Sequence, residues 1–96
     1  MGKAAFVSDQ VRFRLYITEN APHSNKAIVN LKELLRQLDL NNYQLEILDI
    51  HKHSHLAIAD KILVSPTLLK LSAKSAIRLV GDLSNPQMVK RKLELE

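Results

Sequence analysis

His51, His53 and His55 occupy alternate positions in the segment HKHSH (51–55). On an extended backbone all three would share one face and could hold a metal; on a helix only His51 and His55 would. No cysteine, and no acid nearer than Asp49, completes a set of ligands. The segment therefore reads as a polar connector, and no metal is expected. Asp49, Asp60 and Asp82 are the other residues that could do chemistry, since paired carboxylates serve as general acid and base. They fall in different elements, and no nucleophile or glycine-rich phosphate loop accompanies them. Asp82 precedes a helix, where capping and the helix dipole account for it. Neither catalysis nor a cofactor is expected.

Charge offers a second kind of site. The net charge is +4, and its placement matters more than its size. Lys70, Lys74, Arg78, Lys90, Arg91 and Lys92 lie in the last third of the chain, where Asp82 is the only acid between Lys70 and Lys92. Such a stretch suits an acidic protein surface or a phosphate backbone, or simply a solvated face that keeps the protein soluble. Single-strand binders interleave aromatics with their bases. Phe6, Phe13, Tyr16 and Tyr43 all lie outside the basic stretch, which disfavours nucleic acid.

The chain has 96 residues, of which 46% are hydrophobic, so it fits one folded domain over residues 1–96. Residues 1–10 read as a flexible N-terminal segment. A core this small can draw extra stability from oligomerisation. The absence of cysteine excludes disulfides, thiolate catalysis and cysteine-ligated zinc. No apolar run approaches the roughly 20 residues that span a bilayer, and MGKAAFVSDQ lacks the apolar stretch of a signal peptide. No membrane association and a cytoplasmic location are the expectation.

In VRFRLYI (11–17), Val11, Phe13, Leu15 and Ile17 alternate with Arg12, Arg14 and Tyr16, which predicts a strand with one apolar face. Ser24 is a candidate helix N-cap, and Ala27, Ile28, Leu31, Leu34, Leu35 and Leu38 follow at helical spacing. DLNN (39–42) should end that helix. YQLEILDI (43–50) reads as a second strand, apolar on both faces near its end as a central strand would be. LAIADKI (56–62) suits a short helix, and TLLKL (67–71) and AIRLV (76–80) suit a strand hairpin. Ser84 with Gln87 forms a capping-box pattern, and Pro86 fits the first turn, so a last helix is expected over 85–95 with Val89 and Leu93 inward.

The resulting order, β-α-β-α-β-β-α, is the thioredoxin arrangement of an α/β protein. Within DKILVSPTLL (60–69), Pro66 falls just before the third strand, where that fold keeps a cis proline. A thioredoxin-type enzyme places its reactive thiol where the first helix begins, because the helix dipole lowers its pKa. Here that place holds Asn20-Ala21-Pro22-His23-Ser24, and a serine hydroxyl has no redox chemistry. The proline segment is therefore architectural, or serves binding.

LYITENAPHS (15–24), LDIHKHSHLAIADKILVSPTLLK (48–70) and IRLVGDLSN (77–85) together resemble the KaiB family of circadian clock proteins, from about Arg12 to the end. The segments DKIL, PTL and GDLS, in this order and spacing, carry the resemblance. The sensor domain of the SasA histidine kinase is similar, but a free-standing KaiB-like protein is the expectation. The resemblance implies a non-enzymatic regulator that binds the ring of a KaiC-type hexameric ATPase. KaiA, or a SasA-like kinase, is a further partner where the host has one. It also implies fold switching between a thioredoxin-like monomer and an oligomer, dimer or tetramer, with a rearranged C-terminal half.

Carried over by position, the family's binding face would include Lys26, Asp49, Asp60, Lys61 and Arg78. Pro66, Gly81, Asp82 and Ser84 match positions read as structural. The sequence also departs from the family. A proline run between the third and fourth strands is here Ser72-Ala73-Lys74-Ser75. The pattern Gly-Leu-Asp-Leu is here Lys92-Leu93-Glu94-Leu95. Losing that glycine raises helix propensity by about 1 kcal/mol, which should favour a final helix and the thioredoxin-like form. Glu19 replaces a glycine before Asn20. These departures suggest a relative outside the standard cyanobacterial oscillator, acting in a KaiA-independent timer or a stress response. The alternative from another class is a thioredoxin-fold adaptor for an unrelated protein.

Overall fold

A computed structural model describes residues 11–38, 43–73 and 75–95; the expected flexible segment 1–10, the helix stop at 39–42 and Lys74 lie outside them. Among the described residues three helices and four strands follow the expected order. They are β1 (Val11–Ile17), α1 (Pro22–Leu38), β2 (Tyr43–Asp49), α2 (Ser54–Ala59), β3 (Thr67–Leu71), β4 (Ala76–Val80) and α3 (Pro86–Lys92).

The strands form one sheet in the order β2-β1-β3-β4. β1 and β2 run parallel, with Val11 opposite Tyr43 and Ile17 opposite Asp49, so their connection is the long crossover α1. β1 pairs antiparallel with β3, and β3 with β4 as a hairpin in which Leu69 faces Arg78.

Period-two alternation sends β1 side chains to both faces, and both faces are covered. Phe13, Leu15 and Ile17 pack with Leu68 of β3 under Ala27, Leu31, Leu34 and Leu35 of α1 and under Val89 and Leu93 at α3. On the opposite face Tyr16, Leu48 and Leu69 pack under Ala57 of α2. β2 is an edge strand, not the central one its sequence suggested. Its two-faced apolar pattern has another cause: Ile47 packs toward the α1 layer and Leu48 toward the α2 layer.

The element ends shift for local reasons. α1 starts at Pro22, not after Ser24, with the Ala21 carbonyl accepting from the Asn25 N–H at 2.9 Å. Proline suits that first position because its missing N–H would be unpaired anyway. Ser24 is instead buried inside the helix, and its Oγ accepts from the Thr18 N–H at 2.9 Å. α2 begins at Ser54 and ends at Ala59, earlier than expected at both ends. The cap of α3 is Asn85 rather than Ser84: its Oδ1 accepts from the Met88 N–H at 3.1 Å. Val89 and Leu93 do point inward.

α2 and α3 close in the same way. At α2, Lys61 adopts φ 58°. Its N–H donates to the Ile58 carbonyl at 3.0 Å, and the Ile62 N–H donates to Ala57 at 2.9 Å. At α3, Glu94 adopts φ 58°. Its N–H donates to Arg91 at 3.2 Å, and the Leu95 N–H donates to Lys90 at 2.9 Å. Both are Schellman ends with a charged residue at the left-handed position that favours glycine. The last helix therefore stops at Lys92 instead of reaching residue 95.

Candidate functional site

The loop between β1 and α1 lies where a thioredoxin would carry its thiol. The Ser65–Pro66 peptide bond is cis, as that fold predicts. The hydroxyls of Thr18 and Ser65 hydrogen-bond to each other beside it. Asn20 takes φ 67°, which asparagine tolerates better than most residues. The arrangement supplies hydroxyls but no thiol, since the chain has no cysteine.

Asp49 closes β2. Its carboxylate accepts from the backbone N–H groups of Glu19 at 2.8 Å, His51 at 2.7 Å and Lys52 at 3.2 Å. The N–H of Glu19, then that of His51, holds its carboxyl below the usual carboxylate range. Asp49 thus ties the β1–α1 loop to the turn that enters α2. That turn also explains the histidines, which do not share an extended face: His51 and His53 lie in the turn, and His55 is already on α2.

The densest set of interactions lies between β1, β4 and the end of α2. Asp60 Oδ2 accepts from Tyr16 Oη at 2.6 Å and from Arg14 Nη1 at 3.0 Å. Arg14 Nε also donates to Glu46 Oε1 at 3.0 Å. Burial works against the charge on Asp60, but Tyr16 and Arg14 outweigh it and keep that carboxyl low. Burial, reinforced by Asp60, pushes the Tyr16 phenol up to about 12. For Arg14 burial opposes the charge, and Asp60 and Glu46 more than compensate, so its guanidinium stays charged. Arg78 of β4 reaches the same place from the other side. Its Nη2 donates to the Asp60 carbonyl at 2.7 Å and its Nη1 to the Lys61 carbonyl at 3.2 Å. A cation at the C-terminal carbonyls of a helix is favourable there.

Of the five expected binding residues, Asp60, Lys61 and Arg78 come together on the α2 side of the sheet. Asp49 sits at the end of β2, engaged with backbone. Lys26 is on α1, across the sheet; Asp82 is kept below the usual carboxylate range chiefly by its hydrogen bonds with Ser84, with a smaller contribution from nearby positive charge that includes Lys26. Asp82 belongs to the loop after β4: its Oδ1 accepts from the Ser84 N–H at 3.1 Å, and its carbonyl accepts from Asn30 Nδ2 at 2.9 Å. Gly81, at φ 123°, donates its N–H to the Pro66 carbonyl at 3.0 Å. Pro66, Gly81, Asp82 and Ser84 thus join the start of β3 to the loop before α3. Lys92 is the last residue of α3, and Glu94 forms its left-handed end.

The basic stretch needs one correction. Lys70 is buried, with Nζ donating to the Leu93 carbonyl at 2.6 Å. It points from β3 toward α3 and anchors that helix end, so it adds nothing to a basic surface.

Sequence reasoning missed Arg14 and Tyr16, which hold Asp60 in place, and Glu46, which pairs with Arg14. It also missed an exposed apolar surface beside Lys61 and Arg78. There Leu63 is 93% exposed, Val80 56% and Val64 51%. Together with Lys61, Thr67 and Arg78 they line a groove of about 460 Å³.

The KaiB domain family matches this chain over residues 14–95. The circadian clock oscillator protein KaiB of Trichodesmium erythraeum is 39% identical over 82 residues, covering 85% of this chain and 79% of that protein. The one from Prochlorococcus marinus is 38% identical over 82 residues, covering 85% of this chain and 69% of its own length. Among solved structures, Fasciola hepatica thioredoxin superposes with a TM-score of 0.73 at 9% identity, over 94% of this chain and 84% of that one. Thioredoxin from Trypanosoma brucei brucei superposes with a TM-score of 0.72 at 14% identity, over 95% and 79%. At these identities the thioredoxins establish the fold alone.

Proposed function

This chain belongs to the KaiB family, and from that premise we propose that it is a non-enzymatic clock-type regulator that binds a KaiC-type hexameric ATPase and modulates its phosphorylation and ATPase cycle. The observation that carries this reading is the match over residues 14–95, on a thioredoxin-like fold with no cysteine at the place of the thiol. The fold then serves as a binding platform. Lys61 and Arg78 form the centre of the proposed face, with Asp60 setting their position and Lys26 and Asp49 as outlying members. Opposite charges on a partner ring would steer encounter and fix orientation.

The proposal includes a cytoplasmic location; among the described residues no helix is long and apolar enough to cross a membrane. It includes KaiA or a SasA-like kinase as further partners where the host has them. It also includes a free state that assembles as a dimer or tetramer, with the C-terminal half packed differently. Two packings that differ by only a few kcal/mol can be exchanged by a partner that binds one of them better. In a host without KaiA the same binding would serve a timer or a stress response.

Binding of a Lys61→Glu variant to the host's KaiC-type hexamer tests the face. Reversal should weaken binding at least tenfold, and Lys61→Gln by less. Equal affinity for all three proteins would remove Lys61 from the interface. Clock, timer and stress-response roles share the ring as partner and an adaptor role does not, so absence of ring binding by the wild type itself would favour the adaptor.

A further inference from the structure

The α2 side of the sheet is only partly covered. α2 has six residues and is about 9 Å long. It reaches Tyr16, Leu48 and Leu69 and leaves β4 uncovered. Ala76, Arg78 and Val80 alternate along β4 toward that open side, and all are exposed. The chain then leaves α2 through Lys61 and passes Leu63 and Val64, which it turns outward rather than into the core. Val80 pairs with Thr67 across the hairpin, so the apolar loop and the open strand end meet in one groove.

The chemistry of its lining is selective. Leu63, Val64, Thr67 and Val80 make it apolar; Lys61 and Arg78 stand at its side; none of the lining residues is acidic. The adjoining carboxylate, Asp60, is occupied by Arg14 and Tyr16. Leu63, 93% exposed, contributes almost nothing to the fold from that position, and an exposed apolar cluster rimmed by polar residues marks a contact surface. Two cations whose neighbouring acid is already paired with Arg14 and Tyr16 favour carboxylates on whatever covers the groove.

We infer that this groove is an anchor site for a partner segment that carries an apolar side chain flanked by carboxylates, and that Leu63, Val64 and Val80 supply most of the binding energy while Lys61 and Arg78 orient it. The segment inserts its apolar side chain between the 61–64 loop and β4, and its carboxylates meet the two cations. Anchor residues of this kind dominate affinity, whereas exposed rim charges act mainly on association rate and salt dependence. The identity of the partner ring rests on the proposed function; the chemistry of the groove does not.

The test compares wild type with Leu63→Ser, Val80→Thr and the double variant in binding to the host's KaiC-type hexamer, loaded with ATP or ADP. Both substituted side chains are exposed, so the thermal midpoint should stay near that of wild type. The double variant is expected to bind at least tenfold more weakly, mainly through faster dissociation. Lys61→Gln should instead flatten the dependence of association on salt. A double variant that binds within twofold of wild type overturns the anchor site. If wild type dimerises and the double variant is monomeric with ring binding unchanged, a second copy of the chain covers the groove and the inference is wrong. Wild type that binds the ring in neither nucleotide state overturns the proposed function and, with it, the assignment of this groove to the ring.

Discussion

Asp60 serves two partners with two different groups. Its carboxylate holds Arg14 and Tyr16, and its carbonyl accepts from Arg78. Replacing it with asparagine leaves the partly buried Arg14 guanidinium with Glu46 as its remaining counter-charge. Asp60→Asn should lower stability by about 2 kcal/mol in urea denaturation, with Tyr16→Phe costing about 1 kcal/mol through the single lost hydrogen bond. The ionisation pattern gives a prediction at each end of the pH range. The carboxyls of Asp49, Asp60 and Asp82 are lowered in the folded protein. Their contribution is therefore present above the ordinary carboxylate range and is lost as pH falls through it. The Tyr16 phenol is raised from 10.0 to about 12, so its contribution is present below pH 10 and fades as pH rises toward 12. Ultraviolet titration should show one late tyrosine phase, absent from Tyr16→Phe; an unchanged titration would show that Tyr16 is not buried against Asp60. Asp60, Lys61 and Arg78 stand out in the sequence because DKIL and IRLVGDLSN carry the family resemblance. Arg14 and Tyr16 were not, because the alternation of VRFRLYI places them on the polar side of a strand. Only the return of α2 over that side converts it into a second buried layer.

Among the elements, type and order were readable, and ends were not. Strict alternation fixed β1, and apolar residues at helical spacing fixed α1. The ends depend on which of two adjacent polar residues turns its side chain back onto the helix. Ser84 and Asn85 are equally good caps by type, and the structure uses Asn85. Asn85→Ala should cost about 1 kcal/mol, and Ser84→Ala less because its N–H to Asp82 survives. Equal losses would mean that the two share the cap. The ends of α2 and α3 carry a second signature, since neither Lys61 nor Glu94 is the glycine that a left-handed helix end prefers. Glu94→Gly should raise stability by about 1 kcal/mol, read from thermal or urea midpoints. No gain would mean that the left-handed end is not populated. The lysine at position 92 favours a final helix, and one forms over Pro86–Lys92. The end of that helix is set by Glu94, because propensity favours helical residues without specifying where the helix stops.

On the scale of the whole molecule, a mixed sheet receives two layers of unequal size. α1 and α3 cover one face, and the short α2 covers part of the other. The thioredoxin-like arrangement was legible in the order of elements, with Pro66 at the head of β3. The edge position of β2 was not, since a strand covered on both faces has the same apolar pattern at an edge as at a centre. The open part of the second face coincides with Lys61 and Arg78, the residues to which the family resemblance assigns binding. An unfilled platform with charged sides fits a regulator that acts by docking. The measurement that tests this most directly is co-elution on a sizing column with the host's KaiC-type hexamer, loaded with ATP or with ADP, against the free protein. Movement of this chain into the hexamer fraction in one nucleotide state and not the other is the predicted result. An elution volume that never shifts, with a folded and active hexamer present, would contradict the account.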